Sequence, residues 1–273
     1  MTRRILSAIV FSVLCAAVVF AQPTESGTTA AIAKKSPPIP FQVGETLVYE
    51  GKLSKIINVS VAELTMKFEA ATEGSRDYII KAEARSKGTL LKIARFSFLQ
   101  TIDSTVDQNL ERSFSTVKHD TQKERVRNSE ALFDYDRNRV TYTETDPKEP
   151  TRPPRKIASE LPGPTHDIIS GIYNLRTLPL AVGKTFELTI SDSGLVYQIP
   201  VKVARRERQK TAIGRVWCYV VEADVFGPGR LIEREGSMSI WITDDAKKIP
   251  VRATVNTSFG KVEIKLKSAT APK

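Results

Sequence analysis

Cysteine is nearly missing from this chain of 273 residues, which holds only Cys15 and Cys218. Cys15 sits in an apolar N-terminal run that is expected to be removed, so Cys218 is left alone. One thiol makes no intrachain disulfide, and the fold must hold by packing and hydrogen bonding even in an oxidising compartment. Its neighbours, Val216-Trp217 and Tyr219-Val220, are those of a buried structural thiol, since a reactive one needs basic neighbours and exposure. Histidine is as scarce, with His119 and His166 alone. Two histidines and one cysteine do not easily supply a structural zinc set, and neither His-Glu-x-x-His nor paired Cys-x-x-Cys occurs. Phosphate-cradling glycine loops and a Gly-x-Ser-x-Gly elbow are absent too, and Gly227-Pro228-Gly229 reads as a turn. Past the N-terminus no apolar run approaches the roughly 20 residues that a membrane-spanning helix needs.

What is present begins with an address. Met1 to Ala21 carries Arg3 and Arg4 and then an apolar run from Ile5 to Phe20, broken only by Ser7 and Ser12. That composition predicts a signal peptide, with Val19 and Ala21 placing the cut before Gln22. The alternative, an uncleaved anchor, is disfavoured because the run falls short of a bilayer span and a polar tail follows. Acylation at Cys15 is disfavoured by Leu14, where lipoprotein processing wants a small residue. The protein is therefore expected to be exported, periplasmic or extracellular, with no transmembrane span after cleavage.

Acidic residues are in deficit, 31 against 41 Lys and Arg. Removing Met1 to Ala21 takes two arginines and no acids, leaving 39 minus 31, or +8. Such an excess suits anionic partners: phospholipid or lipopolysaccharide head groups, or an acidic envelope polymer. Nucleic acid is not expected as a partner, given export and basic residues scattered through strand-like segments instead of being interleaved with aromatics on one face. The densest cluster, Arg205-Arg206-Glu207-Arg208-Gln209-Lys210, reads as a solvated hairpin tip.

Along the chain, Gln22 to Pro40 is rich in Thr, Ala, Lys and Pro and reads as a tether. From Phe41 onward apolar residues recur at every second position. Leu195, Tyr197, Ile199, Val201 and Val203 form one such series; Tyr78, Ile80, Ala82 and Ala84 another; Phe186, Leu188 and Ile190 a third; Ile249, Val251, Ala253 and Val255 a fourth. Turn signals at Glu73-Gly74-Ser75, Asp192-Ser193-Gly194 and Thr243-Asp244-Asp245 separate the runs. Val59 and Val61 set a phase that Leu64, Met66 and Phe68 resume one residue out of step, which predicts a bulge near Ala62. Val216 to Val221 is apolar on both faces and suits a central strand covered on both sides. One helix is predicted over Thr165 to Leu175, capped by Thr165, with Ile168, Ile172 and Leu175 on one face and Pro179 stopping it. The segment 147–164 holds six prolines and separates a first β-rich half, 41–146, from the helix and a second half, 165–268, the two expected to form one continuous domain. A faint echo joins them, Val43-Gly44-Glu45-Thr46-Leu47 against Val182-Gly183-Lys184-Thr185-Phe186. The fold class expected is all-β: a large curved antiparallel sheet or partly closed β-barrel with one short helix covering an opening.

Phe41-x-Val43-Gly44-Glu45-x-Leu47-x-Tyr49, Asp167-x-x-Ser170-x-x-Tyr173-x-Leu175-Arg176, and Ile240-Trp241-Ile242-Thr243-x-Asp245 with Pro250-Val251 and Gly260 occur in that order. In these the chain resembles the exported domain-of-unknown-function family DUF3108 from about Phe41 to Leu266. The resemblance implies an envelope protein with no established activity and no catalytic residues to carry over. The end of one strand at Trp241, an acidic turn and a Pro-led strand also resemble the final hairpin of periplasmic lipoprotein-localisation carriers, which hold acyl chains in a half-open sheet; that likeness concerns the fold only.

Each candidate chemistry has a plainer account. His119-Asp120 and His166-Asp167 are adjacent in sequence, which does not make a triad, and helix capping accounts for Asp167 as well as a role beside Ser170 does. Asp134-x-Asp136-x-Asn138 imitates a calcium loop but has Arg139 where the loop needs Gly and Thr145 where it needs Glu, so a tight turn between Phe133 and Val140 is expected. Asn58-Val59-Ser60 and Asn256-Thr257-Ser258 match a glycosylation sequon by chance. No catalytic residue, metal or cofactor is expected. The first reading is non-catalytic binding of a lipid-like or amphipathic envelope molecule, with Tyr197, Trp217, Trp241 and Arg176 as candidate ligand-binding residues. Of these, Arg176 better suits a structural pair with Asp167 or Glu45 than an anchor for an anionic head group. The other readings are a scaffold or protein-interaction module with a packed core and, last, an enzyme acting on glycans or lipids.

Overall fold

A computed structural model describes residues 39–54, 58–72, 76–88, 97–258 and 260–271. The expected signal peptide, the tether up to residue 38 and the turn Glu73-Gly74-Ser75 lie outside the described residues. The alternating pattern becomes β1 (Thr46–Ser54), β2 (Asn58–Ala70), β3 (Tyr78–Ser86), β4 (Phe98–Val106), β5 (Ser113–Gln122), β6 (Arg125–Asp134), β7 (Arg139–Thr145) and β8 (Arg155–Glu160). Helix α1 (Ile168–Thr177) follows, then β9 (Thr185–Asp192), β10 (Leu195–Thr211), β11 (Gly214–Ala223), β12 (Gly236–Thr243), β13 (Pro250–Thr257) and β14 (Gly260–Thr270). All 14 strands join one antiparallel sheet, ordered β8-β7-β6-β5-β4-β3-β2-β1-β14-β13-β12-β11-β10-β9. The two expected halves are thus one sheet, zipped where β1 pairs with β14 from Thr46–Thr270 to Ser54–Lys261.

The sheet does not close into a barrel, because β8 and β9 stand at opposite ends of the order. The chain between them spans the gap. Ser113 N donates to Thr165 O at 2.9 Å on the β5 side, and Ser191 N donates to His166 O at 2.7 Å on the β9 side. The Pro-rich segment, expected to be a connection, carries β8 itself; an edge strand is where prolines nearby do least harm. The β9–β10 turn approaches from the other side. Ser193 (φ 51°) and Gly194 (φ 84°) make a two-residue hairpin turn that needs both residues left-handed. A Cβ on Gly194 would lie 2.6 Å from Tyr142 Cβ, so glycine there lets the turn press on β7 while Ser159 Oγ donates to Gly194 O at 2.7 Å.

The local predictions are met where a pattern had one reading. Gly51 pairs with Ala62 and Lys52 with Ser60, which leaves Val61 as the extra residue of the expected bulge. The imitation calcium loop is the β6–β7 turn, with Arg137 N on Asp134 Oδ1 at 2.9 Å and Asn138 left-handed at φ 50°. The two echoed segments share a hydrogen-bond pattern: Gly44 N to Phe68 O, Phe68 N to Glu45 O and Glu45 N to Gln42 O, matched by Gly183 N to Val203 O, Val203 N to Lys184 O and Lys184 N to Ala181 O.

Three sequence readings need correction. The helix is capped by Asp167, not Thr165: Asp167 accepts from Ile169 N and Ser170 N while Ser170 Oγ accepts from Asp167 N, a complete capping box. Thr165 instead lies before the helix and offers its carbonyl to Ser113 and Tyr135. Arg205 to Lys210 is not a tip but the outer length of β10, the tip being Thr211 to Gly214. On β11, Cys218, Val220 and Val221 are buried, yet Trp217 is 46% exposed, so that strand is covered on both faces only toward its end.

The interior falls into three clusters. The first gathers Leu47, Tyr49, Met66, Phe68, Ile80, Tyr173, Cys218, Val220 and Trp241; the second Leu175, Ile199, Val201, Val203, Val221, Ile240 and Ile242; the third Phe133, Val140, Tyr142 and Leu161. Helix α1 joins the first two, sending Ile169 and Tyr173 to one and Leu175 to the other.

Candidate functional site

A buried ion pair ties the end of α1 to two turns at strand ends. Arg176, wholly buried, donates from Nη1 and Nη2 to the two carboxylate oxygens of Glu45 at 2.6 and 2.8 Å. Its Nε reaches Lys248 O at 2.9 Å and Nη2 also reaches Lys247 O at 3.1 Å. The guanidinium lies 4.2 Å from the centre of the Phe41 ring, which meets Phe68 and Tyr173 edge-on. Glu45 is placed by the turn before β1, Arg176 by the last turn of α1, and the two carbonyls by the β12–β13 loop. Three remote segments are thereby held together with every charge satisfied. Four of its five N–H donors are thus engaged and the side chain is wholly buried, so of its two weighed roles Arg176 fills the structural one, with Glu45 and not Asp167. Burial pushes the neighbouring Tyr49 and Tyr173 hydroxyls far above the usual phenol range, so both stay neutral.

A cavity of about 40 Å³ opens beside the start of α1, lined in part by Thr116, Lys118, Tyr142, Asp167, Ser191 and Ser193. It has room for a water or two, whereas ligand pockets measure roughly 300–1,000 Å³. An acyl chain does not fit there, and the candidate Tyr197 packs half-buried against the second cluster.

His166, Asp167 and Ser170 are engaged separately. Asp167 is spent on the cap and on Thr116 Oγ1 and Ser170 Oγ, at 3.1 and 2.9 Å. His166 is 4% exposed with Nδ1 unpartnered, and burial holds its pKa down to about 4 against the pull of Asp167 and Asp107. His119 bonds Asn128 on the exposed surface. Among the described residues no group of three or more His, Cys, Asp or Glu gathers as metal ligands, and no helix is long and apolar enough to cross a membrane. Burial pushes the Cys218 thiol up to about 12. Cys218 is accordingly expected to resist a maleimide in the native protein for hours and to react within minutes in denaturant, read by mass; rapid native labelling would contradict its burial.

Trp217, on β11, and Trp241, on the adjacent β12, lie at opposite faces of the β10–β11 hairpin. Beyond Lys202, β10 has no β9 partner, and before Cys218, β11 has no β12 partner, so the hairpin end leaves the sheet. One face turns inward. Trp241 Nε1 donates to Glu207 Oε1 at 2.6 Å, Gln209 Nε2 reaches the same oxygen, and Arg252 lies 4.5 Å over the Trp241 ring. The indole N–H, with Arg205 and Gln209, holds the Glu207 carboxyl below its ordinary range despite partial burial. The other face pairs Arg206 with Tyr219, Arg208 with Trp217 and Lys210 with Arg215. Arg206 lies 4.3 Å over the Trp217 ring and is tied to Asp244. Here basic and aromatic residues do interleave on one face, against the expectation from sequence. The signal was the hairpin register, which sets residues 206–210 against 215–219 and follows from the turn before Gly214, not from the linear order of charges.

The protein-of-unknown-function family DUF3108 matches residues 48–267. A β-barrel-like protein of the DUF1849 domain of unknown function from Brucella abortus is similar over 85% of this chain and 99% of its own, with a TM-score of 0.57 and 11% identity. A protein of YmcC-like fold from Bacteroides fragilis, described as exported, is similar over 85% and 98%, with a TM-score of 0.36 and 10% identity. No curated protein matches the sequence. The first likeness shows a barrel-like fold.

Proposed function

The chain belongs to the DUF3108 family of unknown function, and from the close packing of its described residues we propose a non-catalytic, exported envelope protein that acts through its outer surface as a scaffold or interaction module. The observation that carries this reading is close packing among the described residues: α1 joins two apolar clusters, a third lies along β6 and β7, and the cavity beside the start of α1, about 40 Å³, is too small for an acyl chain. The basic excess supports an anionic partner outside. The +8 expected after export, the apolar N-terminal run and the polar segment behind it support action at an envelope surface.

Native mass spectrometry of the protein purified from the cells that make it, followed by solvent extraction, tests the proposal. The expected result is the bare mass of the chain, with surface crosslinking capturing its partner in stoichiometric amount. A discrete lipid-sized adduct that persists through high salt, where a surface contact with head groups is screened, would overturn it and restore the carrier reading.

A further inference from the structure

The outer face of the β10–β11 hairpin is where positive charge, aromatic rings and exposure coincide. Resting on the proposal that the protein acts through its surface, we infer that this face docks on an anionic phospholipid surface. Arg208, Lys210 and Arg215 are exposed and have no acidic partner among the described residues. Lys210 stands directly opposite Arg215 in the register, a cation facing a cation across the two strands. Such a pair opposes hairpin formation, and phosphates bridging it would relieve the repulsion. Arg206 is different: pinned by Asp244, it holds the Trp217 ring in place from above. Tyr219, opposite Arg206 on the same face, rests half-buried against the second cluster.

The apolar groups decide between a bilayer and a soluble polyanion. Trp217 is 46% exposed and Ile213, at the hairpin tip, 37%. A soluble acidic chain would need the cations alone. An indole with one polar edge, a phenol and an aliphatic tip on the same arm match the headgroup level of a bilayer, where Trp and Tyr settle and Lys and Arg meet phosphate. The inner face is fixed to the body through Trp241, Glu207 and Gln209, so the arm presents its outer face as a rigid platform.

The test is sedimentation of the purified protein with vesicles of phosphatidylcholine and phosphatidylglycerol mixed roughly three to one, against phosphatidylcholine alone, in low salt. Binding is expected to the mixed vesicles only, weakening as salt rises. Tryptophan emission is expected to shift to the blue, and a Trp217→Phe variant, keeping the buried Trp241, is expected to lose the shift. Each neutralised cation is worth about fivefold in partitioning, so the triple variant Arg208→Gln, Lys210→Gln, Arg215→Gln is expected to bind on the order of 100-fold more weakly. Its thermal midpoint should equal or exceed the wild type's, which separates lost docking from lost folding. Equal partitioning of wild type and triple variant, or binding to heparin without binding to vesicles, would overturn the inference while leaving the surface reading intact. Lipid extracted from the interior of the purified protein would instead sink the surface reading itself.

Discussion

Replacing Arg176 by alanine is expected to destabilise the fold by about 3–5 kcal/mol, because it strands Glu45 as an unpaired charge in the interior. Glu45 is 6% exposed, and its two oxygens receive both terminal nitrogens of the guanidinium. The same substitution leaves the carbonyls of Lys247 and Lys248 short of a donor and empties the space beside Phe41 and Tyr173. For a domain of this size roughly 2–4 °C of melting temperature accompany each kcal/mol, so a fall of about 6–20 °C is expected by calorimetry. Arg176→Ala within about 1 kcal/mol of wild type in urea unfolding would show that the pair is not what holds the three segments. The double change Arg176→Met with Glu45→Leu is expected to recover much of the loss, since a buried pair and a well-packed apolar pair are nearly equivalent once neither charge is abandoned. The cost therefore belongs to the broken pair and not to the absence of a salt bridge.

Period-two patterning made the architecture legible. The series Leu195 to Val203 lies in β10, where Ile199, Val201 and Val203 are buried, and the phase change at Val61 is the bulge that bends β2. These features depend on neighbours in sequence, as does the short helix before Pro179. The order of strands depends on which edges meet, and alternation carries no sign of that. Nothing in the linear pattern says that β1 pairs with β14 or that the Pro-rich stretch contains the edge strand β8. The helix cap was misplaced because Thr165 and Asp167 both carry capping side chains; hydrogen bonding of Thr165 to the neighbouring strand decides between them.

The candidate residues divide along the same line. Arg176, at the end of a short helix, was recognisable as a partner for a carboxylate, and the choice of Glu45 over Asp167 is made by the fold bringing the chain's beginning to its middle. Trp217 and Trp241 were read alike, as aromatic residues on strands, and they end on opposite faces of one hairpin, one exposed and one buried against Glu207. The interleaving of Arg206, Arg208 and Lys210 with Tyr219 and Trp217 exists only across the strand pair. A pairing of residues 206–210 with 215–219 around a Gly-containing turn at Gly214 could have been drawn from the sequence, since the turn chemistry is there.

His166 is expected to make the protein markedly less stable as the pH falls from about 6.5 to about 4. The imidazole is buried where the chain crosses from β8 to β9, its pKa held down to about 4 chiefly by desolvation, with Asp167, Asp107 and a hydrogen bond to the Glu111 backbone pulling the other way. The unfolded chain takes up this proton first, near the ordinary histidine value of roughly 6.5. Between the two values the unfolded state binds more protons than the native state, so stability rises with pH and its contribution is complete above about 6.5. A depression of this size corresponds to about 3 kcal/mol, lost as the pH falls toward 4. Carboxylates held below their usual range, such as Glu207 and Glu263, also lose their contribution on acidification, so wild type alone does not isolate the histidine. The measurement is urea unfolding of wild type and His166→Gln across that range, the difference between them being read at each pH. Whatever packing the substitution costs at pH 7, the gap is expected to move by about 3 kcal/mol in the variant's favour by pH 4. A gap that stays constant would mean that the imidazole meets solvent or gains a proton in place, and that the crossing it occupies opens in the native state.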